Sequence, residues 1–364
     1  MSAAPAHHPA RPVVAGLAVL VLLAGCSHGT KAPAAAGTTS GGSTSTTVAP
    51  VPRPAVFPLT GLPVGSATAA AARPALSIKV ENTPLARPQA GLDAADVVTE
   101  ELVEGGITRF FVTFQSHDSP LVGPVRSARP VDAALLRQLG GGLFGYAGAA
   151  EGEIAPVKAY SNTVLLSPDQ APGAYSRSAS RPAPHNLYTS TGRLYQAADR
   201  LGAHRRPPPA LFSFAVRAPG GAHPVRAVAV PFSPVGDYLA SWRWDAKAGV
   251  WDRYQGGRRA TVAGGAGVTA TDVVVLRVKV GTIPGLVDSL GNPDPNVIVV
   301  GQGACWVFRD GRVLKGTWRR PAVGQVMRLI GRGGQTIPLH PGRTWIELEP
   351  VGYTPRLSLV PPSR

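Results

Sequence analysis

Five segments in the second half of the chain constrain its fold most. They are HPVRAVAV at 223–230, SWRWDAKAGVWDRYQ at 241–255, TDVVVLRVKV at 271–280, NVIVVGQGACWVFRDGRVLKGTW at 296–318 and TWIELEP at 344–350. Each is dense in β-branched and aromatic residues, the side chains that fit a pleated, half-buried surface. Asp310-Gly311 supplies a two-residue hairpin turn between two of the runs. All five are strand-like, so residues 223–360 read as a β-rich domain.

The first half has a different pattern. In PALSIKVE, residues 74–81, Leu76, Ile78 and Val80 alternate with Ser77 and Lys79, the period of a half-buried strand. DVVTEELVEGGITRFFVTF, 96–114, places two strand-type runs around Gly105-Gly106 and reads as a hairpin. Pro130 precedes VDAALLRQL, whose Val131, Leu135 and Leu139 fall at helical spacing before Gly140. TGRLYQAADRL, 191–201, reads as a second helix with a Thr cap and Gly202 as its stop. Residues 56–205 are therefore expected to form an α/β domain. The Pro triplet and Gly pair within 206–222 mark a linker. The whole is α+β.

Before residue 56 the composition cannot support a core. Residues 13–24, VVAGLAVLVLLA, are too short to span a bilayer as a helix and suit a secretory h-region, which makes 1–25 a signal peptide. Leu23-Ala24-Gly25-Cys26 resembles a bacterial lipobox, in which the cysteine thiol takes a diacylglycerol. That resemblance implies lipidation at Cys26, a membrane partner through the lipid, and residence at the extracytoplasmic face of the cell membrane. Residues 27–55 are nearly free of large apolar groups, so 26–55 reads as a disordered tether about 30 Å in reach. With Cys26 acylated, Cys305 is left without a disulfide partner.

Charge is uneven. Residues 56–200 carry 12 Lys and Arg against 12 Asp and Glu, whereas 201–364 carry 21 against 9, within a net charge of +15. Outside a membrane such a field attracts phosphate-bearing wall polymers or anionic headgroups, although dispersed arginines also serve solubility alone. No nucleic-acid-binding signature occurs, and nucleic acid is not expected as a partner.

Several longer motifs resemble one family, the YerB-like bacterial lipoproteins, which carry paired N-terminal and C-terminal domains of unknown function. PLTGLP at 58–63, ARPQAGLDAADVV at 86–98, LVEGGITRF at 102–110, GPVRSARPVD at 123–132 and HNLYTS at 185–190 are similar to landmarks of the first domain. GTW at 316–318 and PGRTWIEL at 341–348 are similar to those of the second. The resemblance implies place and architecture; the family supplies no settled chemistry.

The candidate site residues centre on GPVRSARP. Arg126 and Arg129 follow the hairpin by a short loop and admit two readings. They fold back onto Glu100, Glu101 and Glu104 as an ion-pair network with Arg109, or they clamp an anion at the mouth of the helix after Pro130. Strand alternation places Glu100 and Glu104 on one face and Glu101 on the other. Paired acids also admit glycan hydrolysis, with Glu100 or Glu104 as acid or nucleophile and His185 assisting. His185 and Asn186 stand in a Pro-rich loop, as ligand-orienting or hydrogen-bonded structural residues. Trp242, Trp244 and Trp251 are either an aromatic platform for a sugar or packed core. Cys305 lacks the surroundings that activate a thiol. The eight histidines show no zinc-ligand spacing, and neither metal nor cofactor is expected. The leading expectation is a binding or accessory protein that recognises an anionic wall polymer or a wall-synthesis protein; the alternatives are the hydrolase and a passive scaffold.

Overall fold

The computed structural model describes residues 55–203, 206–288 and 291–359. The signal sequence, Cys26 and the tether up to residue 54 lie outside the described residues. Among those described, no helix is long and apolar enough to cross a membrane.

The chain is mostly β-sheet with few helices. After a short helix α1 (Thr68–Ala72) come β1 (Leu76–Glu81), β2 (Val97–Leu102) and β3 (Thr108–Phe114). Helix α2 (Val131–Gln138), β4 (Gly142–Gly145), α3 (Glu151–Lys158) and β5 (Thr163–Leu166) follow, then the hairpin β6 (Tyr175–Arg177) and β7 (Leu187–Thr189) and helix α4 (Thr191–Arg200). The rest is β8 (His223–Val230), β9 (Ala240–Asp245), β10 (Val250–Gln255), β11 (Arg258–Arg259), β12 (Thr269–Ala270), β13 (Asp272–Val287), β14 (Pro293–Ile298), β15 (Gly301–Arg309), β16 (Arg312–Arg320), β17 (Arg328–Gly331), β18 (Thr344–Pro350) and β19 (Arg356–Leu359).

The hairpins, turns and helices fall where their residue types require. Gly105 and Gly106 turn β2 into β3 at φ of 67° and 73°, and Asp310 and Gly311 turn β15 into β16 at 51° and 66°. Left-handed backbone at both central positions matches the twist of the flanking strands. Helix α2 ends at Gly140, φ 77°. Helix α4 is capped one residue earlier than its Thr suggests: the Ser190 hydroxyl accepts from the Arg193 N–H at 3.2 Å, while Thr191 is buried and bonds the Ser119 amide.

The two halves share one sheet. From one edge to the other its order is β5, β4, β1, β3, β2, β18, β13, β15, β16, β17. Strand β18, near the C-terminus, inserts between β2 of the first half and β13 of the second and runs parallel to both. The change of composition at 206–222 is thus no break in the sheet.

Each face of the sheet is covered. Helices α2 and α3 pack on one face against Val97, Phe111, Val274 and Ile346. On the other face α4 covers β1 and β4, while a second sheet of β19, β8, β9 and β10 packs Val228, Trp242 and Trp251 against Val98, Val273 and Trp345. The half-buried reading of PALSIKVE therefore fails: all six residues of β1 are buried, and of the side chains between the apolar ones Ser77 bonds Thr113 of β3 and Lys79 meets Asp132 of α2 rather than water. Period two was read correctly, but it marks the identity of the neighbours rather than the position of solvent.

Candidate functional site

With both faces covered, the charged side chains of β1, β2 and β3 must find partners inside the protein. On the helix-covered face, Lys79 is fully buried between Glu101 and Asp132, the latter 2.6 Å away. Burial raises the Glu101 pKa to about 7, against the pull of Lys79. Alternation along β2 turns Glu100 to the other face. There its carboxylate accepts from Arg253 at 2.5 Å, from Thr108 at 2.6 Å and from Asn82 at 3.1 Å. Arg253 also donates to Glu347 at 2.9 Å, and its guanidinium lies over the rings of Trp345, Trp242 and Phe110 at 4.4, 5.2 and 5.3 Å. Burial pushes the Glu347 carboxyl well above the usual range, and the neighbouring Glu100 charge adds to it. Glu100 and Glu347 thus share the one guanidinium of Arg253.

Glu104 does not share a face with Glu100, contrary to its spacing. Strand β2 ends at Leu102 and Glu104 opens a 3₁₀ turn, so period two no longer applies where Glu104 stands. Its carboxylate is chelated by Arg129, through Nε at 2.6 Å and a second guanidinium nitrogen, and by Arg109 at 2.5 Å. Arg129 is also 3.0 Å from Glu153 of α3 and 3.5 Å from Asp294 of β14. Burial raises the Glu153 pKa to about 7 despite Arg129, and proximity to Asp294 adds to the rise.

The two arginines of GPVRSARP thus differ. Arg129 is buried and bound to carboxylates. Just before α2 the Asp132 carboxylate accepts from the Arg129 N–H at 2.7 Å. The Arg126 guanidinium makes no hydrogen bond to any described residue, and its nearest acid is Glu81 at 3.9 Å. Arg126 lines a cleft of about 620 Å³ with Arg109, Arg129, Glu104 and Glu153, closed on one side by Val287, Asp288 and Asn292 of the long arm that β13 and β14 form.

His185 is held by the same acid: its Nδ1 is 2.8 Å from Glu81 Oε1, to which the Thr83 hydroxyl donates at 2.7 Å. Glu81 therefore links Arg126 and His185, and sequence reading missed it. The signal was its place, two residues after Lys79 on the polar side of β1. Asn186 is structural, accepting from Arg177 at 2.8 Å and donating to the Ser178 carbonyl. Glu153, Asp294, Arg253 and Glu347 were also missed, since their partners lie on distant strands.

The hydrolase candidates do not converge on shared partners. Glu100 is bound by Arg253, Asn82 and Thr108, Glu104 by Arg109 and Arg129, and His185 by Glu81. Trp242 and Trp251 are fully buried, and Trp244 packs on Trp251 with ring centroids 5.2 Å apart, so these rings are core. Cys305 is buried in β15, where burial raises its thiol pKa to about 12.

Across the sheet a second cleft, of about 570 Å³, lies on the seam between the halves. It is lined by Asn82, Arg87, Gln89 and Phe110 from the first half and by Asp237, Arg253, Gln255 and Arg258 from the second.

This arrangement, one sheet completed by a C-terminal strand and crossed by buried ion pairs, agrees with the family comparisons. Residues 59–204 match the model described as "Protein of unknown function (DUF3048) N-terminal domain", and residues 228–346 match its C-terminal domain counterpart. The chain belongs to this YerB-like family. It is similar to a Bacillus subtilis (strain 168) protein named "Putative lipoprotein YerB", 29% identical over 296 residues that cover 80% of this chain and 86% of that protein. The crystal structure of the YerB protein from Bacillus subtilis superposes with a TM-score of 0.72 at 26% identity, covering 84% of this chain and 99% of that one.

Proposed function

We propose that this protein is a lipid-anchored, extracytoplasmic binding protein of the bacterial cell envelope, and that the Arg126 cleft receives an anionic group of an envelope component. The lipobox-like Leu23-Ala24-Gly25-Cys26 and the relative's name support the anchor. The observation that carries the cleft is the Arg126 guanidinium, which faces it without a hydrogen-bond partner among the described residues while Arg129 and Arg109 are held by Glu104. A guanidinium with free donors beside a rigid ion-pair wall suits a carboxylate or phosphate oxygen. Arg109 forms that wall, His185 fixes Glu81, and Asn186 orders the loop that carries His185.

The reading is tested by sedimenting the purified protein with isolated cell-wall material while soluble fragments are quantified by mass spectrometry. Binding that falls with salt and is lost in Arg126→Ala, with no fragments released, is the expected result. Release of fragments that stops in Glu100→Gln or Glu104→Gln supports the hydrolase instead, and neither binding nor release points to a scaffold for wall-synthesis proteins.

A further inference from the structure

The seam cleft holds a feature that the Arg126 reading does not use. Arg87 is half-buried in its wall, yet no carboxylate lies within ion-pair distance of it among the described residues. Its guanidinium instead donates to neutral oxygens: the Asn82 side chain at 3.2 Å, the Asn82 carbonyl at 2.7 Å and the Asp237 carbonyl at 3.0 Å. Burial lowers the Arg87 pKa, the mark of a cation short of compensation. In the same lining, Gly256 and Gly257, at φ of 55° and 81°, make the tight turn between β10 and β11 that carries exposed Arg258, which no ion pair holds among the described residues. The other two arginines of the cleft are already matched, Arg253 by Glu100 and Glu347 and Arg259 by Asp252 at 2.7 Å.

Two polar side chains of the lining are already engaged. The Asn82 amide donates to Glu100 and Thr108, and its oxygen accepts from Arg87 and Gln89. Gln255 accepts from Arg253 and donates to the Asp237 carbonyl. Two guanidiniums of the lining, from different halves of the chain, have no ion-pair partner among the described residues.

We infer that the seam cleft is a phosphate-binding site, in which Arg87 and Arg258 hold the oxygens of one phosphate group. A phosphate offers more oxygens and more charge than a carboxylate, which suits two guanidiniums that line one cleft. Exposed Asp237 at the rim opposes the anion and limits affinity. Because the walls come from both halves, an occupant also ties them together.

The test is a calorimetric titration of the full-length chain in nonionic detergent with inorganic phosphate and with acetate, in parent, Arg87→Gln, Arg258→Gln and Asp237→Asn proteins and in an Arg126→Ala background. Phosphate association should persist with Arg126→Ala, fall about tenfold with either glutamine, the usual worth of one charge-assisted hydrogen bond, and strengthen about twofold with Asp237→Asn. Lys158→Gln, which removes an exposed charge elsewhere, is the control for net charge. If Arg87→Gln disturbs folding, Arg258→Gln decides, since the exposed Arg258 side chain bonds no described residue. Vesicles of phosphatidylglycerol and phosphatidylcholine separate the sources. Arg87-dependent binding of inorganic phosphate indicates a soluble phosphate, and Arg87-dependent binding of phosphatidylglycerol vesicles alone indicates a headgroup. No association with either, equal association in parent and both glutamine variants, or equal association of acetate overturns the inference. Loss of phosphate binding in Arg126→Ala with none in Arg87→Gln would favour the Arg126 cleft and sink the seam site alone.

Discussion

The two faces of the central sheet treat buried charge differently. On the face under the second sheet, Arg253 is stacked among Trp345, Trp242 and Phe110 and bound to Glu100 and Glu347, with the rings excluding water. On the helix-covered face, the Lys79, Arg109 and Arg129 pairs run outward into an open cleft, and the last cation, Arg126, is left without a hydrogen bond. Both networks reach a cleft, the first through Glu100 and Asn82 to Arg87 and the second through Glu104 at Arg109 and Arg129, but only the first is packed among aromatic rings. Removing the cation from between buried carboxylates costs most where rings surround it.

The comparison breaks most readily at its aromatic end. Arg253→Ala should destabilise by about 3–5 kcal/mol, because Glu100 and Glu347 lose the cation between them. Chemical denaturation reads the loss. A shift under 1 kcal/mol would mean the rings alone hold the two layers. Arg129→Ala should cost a similar but smaller amount, about 3 kcal/mol, since the cleft lets water reach Glu104. This variant tests the ion-pair reading of GPVRSARP directly, and an unchanged Tm with lost binding would restore the clamp.

Proton linkage sharpens the helix-covered side. Glu101 and Glu153 each have a folded pKa near 7, above the ordinary carboxylate value, so the folded state holds protons that the unfolded chain has released. Their contribution is present below about pH 4.5 and is lost as pH rises toward 7, at up to about 1.4 kcal/mol per pH unit for each group. Glu101→Gln should flatten that part of the stability curve, measured by urea titrations across pH 4.5 to 7. The smallest effect belongs to Arg126→Ala, within about 0.5 kcal/mol in stability, because among the described residues its guanidinium makes no hydrogen bond and its ion pair with Glu81 is long, at 3.9 Å. Its consequence should appear in binding to wall material.

Much of the scaffold was legible. The glycine pairs announced the β2–β3 hairpin, Asp310-Gly311 announced the β15–β16 turn, and apolar spacing with Gly140 and Gly202 bounded helices α2 and α4. The family motifs were legible too. The candidate site was only partly so. Glu104 and Arg129 were named and do meet, yet Glu81, which joins Arg126 to His185, was hidden in a strand whose polar side suggested water.

The sequence by itself determined β1, the β2–β3 and β15–β16 hairpins, helices α2 and α4 and the β-rich character of the second half, but not α3 or β4 to β7. Apolar spacing and backbone freedom at a few glycines and prolines are local to a short window and mark only the strongly patterned elements. Only the tertiary structure decided which arginines the carboxylates hold. Arg253 meets Glu347 at a separation of 94 residues and Glu100 at 153, and Arg129 meets Asp294 from the far half of the chain. Such pairings depend on strand order, on register and on which layer covers each face. A covered face forces every charge on it to find a partner, and one whose partners are already taken is left for something else.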